Sequence, residues 1–519
     1  MFLAFFLIGL CIFYFYSIKK FVFFSQKSIK HDPPVPIFGN HVQVAFGRRT
    51  QTEVFNSLYK RYPSEKIVGY YKGTKPEFLV RDPEIIKHVL NTNFSEFCNR
   101  GVRRDPKVEP LMLNMFSEDG SVWKLLRHNL SPAFSGSKLK SMFPIIVSCT
   151  NKLVTVAKEL ALEGKEFDAC ILCARFTIDL VGASGFGIDM NTINNEQSLF
   201  LKLRELMFIK SNWQMFLYGI HDLFPESFIK KIHISRPQVR LIIKQILDSV
   251  RSQRTNDTNP RNDFINLLLE LGKVGKISGE SLETDANGKY KEMEMDFNDD
   301  HIIAQLFIFF MAGFETSSTT MSYAMHKLAF HPEIQQEVQR EIDKSLAKHN
   351  NKLCYESVSE MVLLELIVKE CLRLFPPAGY TSRISSNDCV LPDVNVEIKK
   401  GTKIIIPIQG IQLDPVYFEN PEQFNPKRFL HETLQPRHKY AYIPFGEGPR
   451  KCIGARLGTL ETMAGLAAVL NKFDIKTSPS STRNIHPNRA AYLIQFIDGG
   501  LPLRLTLREK SSVISNGFP

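Results

Sequence analysis

The sequence predicts a mainly α-helical fold with small β-sheets. The segment from Lys138 to Gly272 has a helical pattern with few sharp breaks. A second long helix is predicted from Asn298 to His331, because asparagine is a favourable N-cap and a proline follows the histidine. The clearest strand-like runs are short, Lys66 to Tyr71 and Glu77 to Arg81, and a turn that contains glycine joins them.

Length and charge restrict the class of protein. The chain has 519 residues, of which 44% are hydrophobic, so a large core is expected. Lysine and arginine number 65 against 54 acidic residues, a net charge of +11. No zinc finger, basic zipper or RNP-like run accompanies this charge, which favours an anionic membrane or an acidic protein over nucleic acid as the partner. Nine dispersed cysteines are typical of reduced thiols facing the cytosol.

The N-terminus predicts a membrane anchor. Phe2 to Tyr16 is unbroken apolar sequence and is followed by Lys19 and Lys20. A basic start and a small-residue cleavage site are both missing, which favours an uncleaved anchor with the remaining chain in the cytosol. The alternative is a hydrophobic helix packed in the core. We therefore expect an anchor at residues 1–20, a proline-rich hinge at 21–40, a globular domain at 41–507 and a tail at 508–519.

A glycine-rich stretch, FGEGPRKCIG from Phe445 to Gly454, contains the best candidate for a metal ligand, Cys452. Arg450 and Lys451 precede it, and neighbouring positive charge favours the thiolate. No second cysteine or histidine lies within a few residues, so the paired ligands that a tetrahedral zinc site needs at short spacing are missing here. A single thiolate fits haem iron, whose porphyrin supplies four ligands. The alternative is a buried structural cysteine before a helix.

The long predicted helix contains a second candidate site. Ala312, Gly313, Glu315 and Thr316 lie at the end of an apolar run. Glycine costs about 1 kcal/mol relative to alanine in a helix, and a buried Glu-Thr pair needs partners. Such a locally unfavourable choice indicates a functional site. The alternative is that the hydroxyls bond back to their own helix.

Three further features of the sequence are weaker indications of structure or function than these two candidate sites. Trp123 and Arg127 share a helix face at i, i+4 spacing, and Glu370 and Arg373 share one at i, i+3. Phe375 and two prolines end the second of these helices. Lys273 to Glu294 is polar without an apolar period, which predicts an exposed loop.

Together these motifs resemble the cytochrome P450 family, in the family's order and over essentially the whole chain. All five anchors of its haem-binding signature match, at Phe445, Gly448, Arg450, Cys452 and Gly454. The stretches FSEFCNRG and AGFETSSTT are most similar to the insect microsomal xenobiotic-metabolising group. The resemblance implies the P450 fold, a triangular α-rich domain with a β-rich lobe and an N-terminal membrane anchor.

The resemblance also implies a role for each candidate residue. Cys452 is the thiolate ligand of the haem, and Ala312 and Gly313 leave space for O2. Thr316, assisted by Glu315, delivers protons. The remaining residues bind the haem propionates or hold the cysteine loop in place, and they are Trp123, Arg127, Arg383 and Arg450 for the first role and Glu370, Arg373 and Arg428 for the second. Lys427 stands where the family often has glutamate.

The implied activity is that of a haem-thiolate monooxygenase that inserts one oxygen atom into lipophilic substrates, such as xenobiotics, plant toxins, insecticides or endogenous lipids and hormones. NADPH supplies the electrons through NADPH-cytochrome P450 reductase, with cytochrome b5 as a second donor. The implied location is the endoplasmic reticulum membrane, with the catalytic domain facing the cytosol. Basic side chains predicted to dock an acidic donor are Lys124, His128, Lys138, Lys140, Arg437, Lys439 and Lys451.

Two alternatives stay open. One is a haem-thiolate isomerase or dehydratase that needs no reductase. The other is a membrane haem-binding protein without enzymatic activity. Neither needs the acid and threonine of the long helix.

Overall fold

The computed structural model describes residues 14–102, 105–195, 198–208, 237–255, 263–430, 438–489 and 494–509. Most of the predicted anchor and tail therefore lie outside the described residues. Residues 14–20, the described part of the anchor, are helical.

The described residues are mainly helical with small sheets, as predicted. In chain order the α-helices are α1 (Phe23–Gln26), α2 (Val42–Ala45), α3 (Gln51–Arg61), α4 (Pro83–Lys87), α5 (Gly120–Leu130), α6 (Gly136–Glu163), α7 (Ala169–Val181), α8 (Leu199–Phe208), α9 (Pro237–Thr255), α10 (Phe264–Val274), α11 (Asp299–Ala329), α12 (Pro332–Lys348), α13 (Tyr355–Ser359), α14 (Val362–Leu374), α15 (Ile408–Gln412) and α16 (Ala455–Lys472). Short 3₁₀ or π turns lie at His88–Thr92, Pro110–Met112, Ser131–Phe134, Gly182–Phe186, Pro426–Phe429 and Lys439–Ala441.

Within the described ranges the strands form four small sheets. They are β1 (Ile67–Lys72), β2 (Lys75–Val80), β3 (Phe167–Asp168), β4 (Lys276–Thr284), β5 (Tyr290–Asp296), β6 (Thr381–Ile384), β7 (Cys389–Leu391), β8 (Val396–Ile398), β9 (Lys403–Ile406), β10 (Phe473–Thr477) and β11 (Pro502–Leu507). The strand orders are β1-β2-β9-β6, β10-β11-β3, β4-β5 and β7-β8. In the first sheet only β2 and β9 run parallel, with Phe78 opposite Ile404.

Helix α11 crosses the interior, and its ends agree with the prediction. The Asn298 side chain accepts a hydrogen bond from the backbone N–H of His301 at 3.3 Å, and the acidic residues Asp299 and Asp300 occupy the first turn. Thirty-one residues give a length of about 46 Å. The helix borders one apolar core as far as Phe314 and a different one from Met321 onwards. The intervening polar residues therefore lie where two cores meet.

The segment Lys273 to Glu294 is not the predicted exposed loop. Strands β4 and β5 pair antiparallel, with Ile277 opposite Met295 and Gly279 opposite Met293. The prediction was wrong because polar and charged residues and glycines occupy most positions, so the spacing of these few apolar residues by two is easily missed. The strands turn at Asp285, whose carboxylate accepts a backbone hydrogen bond from Lys289 at 3.0 Å.

The residues predicted as a hinge pack against the first sheet. Phe24 is fully buried and lies against β1, where a Cβ at Gly69 would come within 2.6 Å of its ring. Gly39 forms a β-bridge with Lys72. The sheet thus holds both ends of this segment. In the described part of the chain, two helical segments are long and apolar enough to span a membrane, Ala169–Phe186 and Asp299–Ala329, but 78% and 67% of their apolar windows are buried within the protein.

Candidate functional site

The loop before α16 presents Cys452. The backbone N–H of Cys452 donates to the carbonyl oxygen of Phe445 at 2.9 Å, which closes the loop. Gly446 and Gly448 have φ angles of 69° and 76°, a region that favours glycine. A Cβ at Gly448 would also lie 1.9 Å from the carbonyl oxygen of Leu90. The loop conformation therefore requires glycine at this position.

Cys452 lies deep in the protein, yet its side chain is exposed, so it borders internal space. Burial raises the pKa of the Cys452 thiol, whereas the Gly454 N–H and the positive charges of Arg100 and Arg127 act to lower this pKa. The guanidinium groups that favour the thiolate thus come from residues distant in sequence. Arg450 and Lys451, which the sequence suggested for this effect, are not among its main causes.

Helix α5 places Trp123 and Arg127 against the cysteine loop. Trp123 is buried, and the Arg450 guanidinium lies 4.3 Å from the centroid of its ring. Arg127 Nη1 donates to the carbonyl oxygen of Lys451 at 3.0 Å. Two residues on one face of α5 therefore hold two successive residues of the loop.

In the described part of the chain four arginines lie around this loop, Arg100, Arg127, Arg383 and Arg450, and the last two are buried. Arg100 Nη2 donates to the Arg450 carbonyl oxygen at 3.0 Å, and Arg450 Nη2 donates to that of Glu118 at 2.8 Å. Burial and the charge of Arg100 lower the pKa of Arg450 to about 9. Burial, with the charges of Arg100 and Arg450, holds the pKa of Arg383 well below its ordinary value. Asp119 Oδ1 lies 3.7 Å from Arg450 Nη2, but positive charge still predominates in this group of arginines.

The cluster fits a dianionic ligand such as haem with its two propionates. Within the part of the chain that the structure describes, Nε of Arg100, Nε of Arg383 and both Nε and Nη1 of Arg450 are buried without a hydrogen-bond partner. Guanidinium donors suit carboxylate acceptors, and unpaired buried donors are costly. Arg100 was not predicted, because it stands in an irregular segment with no spacing to connect it with the site.

The predicted residues of α11 face different neighbours. Ala312 is exposed and Thr316 half-buried, although most of the helix around them is buried. Thr316 Oγ1 donates to the Ala312 carbonyl oxygen at 2.8 Å, the back-bonding considered as an alternative role for this hydroxyl. Gly313 faces α7, where a Cβ would meet Val181 at 2.9 Å. Glycine at this position therefore permits close packing of two helices, and Ala312 borders the open side.

Glu315 has a partner that the sequence did not reveal. Its carboxylate is 2% exposed and accepts two hydrogen bonds from Arg204 of α8, one from Nε at 2.7 Å and one from Nη2 at 3.0 Å. A bidentate pair of this kind fixes both side chains. The structure thus connects Glu315 to α8.

A second buried carboxyl, Glu461 of α16, lies beside α11. Ser317 Oγ donates a short hydrogen bond to Glu461 Oε1. Burial raises the pKa of Glu461 to about 8, and the Ser317 bond acts against this rise. Glu461 is therefore largely protonated at neutral pH. It was not predicted, since nothing near it in sequence distinguishes it from an ordinary helix residue.

The predicted triad of Glu370, Arg373 and Arg428 comes together in the interior. Arg373 Nε lies 2.8 Å from Glu370 Oε2, and Arg428 Nε lies 3.1 Å from Glu370 Oε1. Arg373 also donates to the carbonyl oxygen of Gln412 at 2.9 Å. The Gln412 side chain accepts from the backbone N–H of Ile443 at 3.2 Å, close to Phe445. The triad is thus connected to the start of the cysteine loop.

The predicted basic docking surface is partly neutralised. Lys140 lies 2.6 Å from Glu356, Lys439 lies 3.3 Å from Glu447, and Lys124 lies 3.1 Å from Glu280. The side chain of Lys451 is exposed. Arg437 lies outside the described residues.

The chain is similar to known proteins over most of its length. The sequence model of the family described as Cytochrome P450 matches residues 30–496. The chain is 32% identical over 481 residues to cytochrome P450 6B6 of Helicoverpa armigera, covering 92% of this chain and 93% of the relative. It is 34% identical over 471 residues to cytochrome P450 6B1 of Papilio polyxenes, covering 90% and 92%.

A third relative, probable cytochrome P450 6a18 of Drosophila melanogaster, is 31% identical over 492 residues, covering 94% of this chain and 95% of the relative. These insect proteins agree with the predicted likeness to the insect group. With a matching family model over most of its length and relatives that align along nearly the whole of it, the chain belongs to the cytochrome P450 family.

Proposed function

We propose that this chain is a microsomal monooxygenase that uses NADPH-derived electrons to oxidise lipophilic small molecules, xenobiotics among them. The observation that carries the proposal is the exposed Cys452 side chain deep in the protein, beside buried arginines that have unpaired donors. When bound, haem supplies the activation of O2 and the transfer of one oxygen atom. Membership of the P450 family supports this chemistry at the level of the family.

The residues have separate tasks in this proposal. Cys452 ligates the haem iron as a thiolate, and Arg100 and Arg127 favour its deprotonated form. Arg383 and Arg450, together with Arg100, hold the propionates. Their unpaired nitrogens support this assignment.

Protons are handled on α11. Thr316 lies one turn from the exposed Ala312, so its hydroxyl borders the same open side of the helix. Because the Thr316 hydrogen is donated to the Ala312 carbonyl, its oxygen remains available as an acceptor. Glu315 exchanges protons when its pair with Arg204 opens. The triad around Glu370 keeps the cysteine loop in place.

The proposed location is the endoplasmic reticulum membrane, with residues 1–20 as the anchor and the catalytic domain in the cytosol. NADPH-cytochrome P450 reductase is the proposed electron donor, with cytochrome b5 as a second donor. The insect relatives and the apolar N-terminal sequence support this placement.

The thiolate assignment is tested on the full chain by the spectrum of the reduced carbon monoxide complex. Cys452→Ala is expected to abolish the thiolate-type spectrum. Cys389→Ala, which removes a half-buried thiol on β7, is the control and should retain it. If Cys452→Ala kept the spectrum, another residue would be the ligand.

The reaction is tested by turnover with NADPH and the reductase. Only the monooxygenase requires both, whereas an isomerase or dehydratase would convert an oxygenated lipid without them. Thr316→Ala should separate oxygen consumption from product formation. Thr320→Ala is the matched control, since Thr320 makes the same back-bond one turn later, to the Thr316 carbonyl at 2.9 Å, but is buried. Equal coupling in both variants would refute the role of Thr316.

A further inference from the structure

The hairpin of β4 and β5 lies against α5. Lys124 Nζ donates to Glu280 Oε2 at 3.1 Å and to the Ser281 carbonyl oxygen at 2.9 Å. The same ammonium group lies 3.6 Å from the ring centroid of Tyr290. Both strands of the hairpin therefore take part in covering one lysine.

Further hydrogen bonds extend this contact along the helix. The backbone N–H of Leu282 donates to Ser121 Oγ at 2.9 Å, and Asn129 Nδ2 donates to the Ser278 carbonyl oxygen at 3.2 Å. Ser121 and Asn129 are separated by about two turns, so the hairpin follows one side of α5 for most of its length.

The other side of α5 holds the cysteine loop through Trp123 and Arg127. The helix is thus sandwiched between the loop and the hairpin. Any protein that delivers electrons near Cys452 through the outer side of α5 meets the hairpin first.

The hairpin has a charge opposite to that of the chain. Residues 276–296 carry six acidic and three basic side chains, whereas the chain as a whole carries +11. The acidic residues are Glu280, Glu283, Asp285, Glu292, Glu294 and Asp296. An acidic donor protein presents the same kind of group that Glu280 already offers to Lys124.

We propose that the β4–β5 hairpin masks Lys124 from an acidic electron-donor protein, so that the donor docks on the lysines that remain exposed, such as Lys451. This inference rests on the proposed function, because it assumes that a donor protein delivers electrons. The hairpin therefore limits the affinity of the donor for the chain.

The contacts of Lys124 with the hairpin are weak enough for an acidic partner to replace them. The Glu280 side chain is 57% exposed, and an exposed ion pair together with an exposed cation–π contact corresponds to at most roughly a thirtyfold change in affinity. Removing the two side-chain partners of Lys124 should therefore strengthen donor binding by a factor between about three and thirty.

The test measures the dissociation constant of purified NADPH-cytochrome P450 reductase for the full-length haem-loaded chain, by surface plasmon resonance at low ionic strength. The double variant Glu280→Gln with Tyr290→Ser unmasks Lys124 and should bind the reductase more tightly. Glu294→Gln removes the same charge at the cross-strand pair with Lys276 and should leave the dissociation constant within about twofold of wild type.

Lys124→Met, made in the wild-type and in the unmasked background, completes a double-mutant cycle. In the wild-type background it should change reductase binding by less than about twofold, and in the unmasked background it should remove the gain. Lys451→Met should weaken binding in both backgrounds. Thermal unfolding of each variant checks that it is folded, and the altered side chains are partly exposed.

Three results would overturn the proposal that the hairpin masks Lys124. They are unchanged binding in the unmasked variant, an equal gain in Glu294→Gln, and a loss in Lys124→Met as large as that in Lys451→Met. Failure of the proposed function looks different, because the wild-type chain would then neither bind the reductase nor accept its electrons.

Discussion

Arg204 of α8 holds the carboxylate of Glu315 of α11 with two hydrogen bonds, across 111 residues of sequence. The carboxylate is almost completely buried, and the arginine side chain is 22% exposed. A buried carboxylate without a counter-charge is costly, so each side chain depends on the other. Movement of α8 that separates Arg204 from α11 would therefore leave the Glu315 carboxylate buried and unpaired.

Arg204→Met should destabilise the protein by about 3–5 kcal/mol at pH 8, because it leaves Glu315 buried and unpaired. Urea unfolding at pH 8 measures the loss. The double variant Arg204→Met with Glu315→Gln is the control, and it should recover most of the loss at pH 8. If the double variant were destabilised as much as the single variant, the unpaired carboxylate would not be the cause.

Glu461→Gln should change how stability depends on pH. Burial raises the pKa of Glu461 in the folded protein from an ordinary value of 4.5 to about 8. For an acid of this kind the contribution to stability is complete below the unfolded pKa and is lost as the pH rises toward the folded pKa. Between pH 5 and 8 the free energy of unfolding of the variant should therefore rise relative to that of wild type, by up to about 1.4 kcal/mol per pH unit.

Urea unfolding between pH 5 and 9 measures this slope. The exposed Glu159→Gln on α6 is the control and should keep the wild-type slope. Parallel pH profiles for wild type and Glu461→Gln would show that Glu461 is ionised in the folded protein throughout this range.

Gly448→Ala should disrupt the cysteine loop, because its Cβ would lie 1.9 Å from the Leu90 carbonyl oxygen. We expect loss of the thiolate-type carbon monoxide spectrum and a lower thermal unfolding temperature. Gly446→Ala is the matched control, since its φ is also positive but the nearest heavy atom, Lys451 Cα, is 4.0 Å away. It should cost only about 1–2 kcal/mol of backbone strain. Similar behaviour of the two variants would mean that the φ angle alone matters.

Arg428→Ala should cost about 3–5 kcal/mol, because it breaks a buried pair with Glu370. Its guanidinium also donates to the Glu419 carbonyl oxygen at 2.8 Å. The neighbouring Lys427→Ala removes an exposed pair with Glu337 and should cost no more than about 1 kcal/mol. Urea unfolding compares the two, and an equal cost would refute a special role for the buried triad.

Local signals account for what the sequence predicted correctly. Helix α11 begins after Asn298 and α14 ends before Phe375, as capping and proline residues indicated. Strands β1 and β2 were recognised from apolar runs around a turn with Gly73. The triad around Glu370 was expected from the family resemblance, which carries information about distant neighbours.

Long-range partners could not be predicted. Glu461 lies 144 residues from Ser317, and Arg100 lies 350 residues from Arg450, so no spacing connects them. The hairpin was missed because its few apolar residues, among them Ile277, Met293 and Met295, are interspersed with polar and charged residues. The roles of Cys452 and Thr316 in catalysis stay predictions.

The burial of Phe24 affects how a soluble form of this protein would have to be prepared. Phe24 packs with Tyr71 and Phe78, at centroid distances of 4.7 and 5.4 Å, against strand β1 at Gly69. A truncation that removes the chain up to residue 30 would expose the rings of Tyr71 and Phe78 and create an apolar, aggregation-prone surface. Cutting before Phe21 removes the apolar N-terminus and leaves the sheet covered, so the two truncations should differ sharply in aggregation.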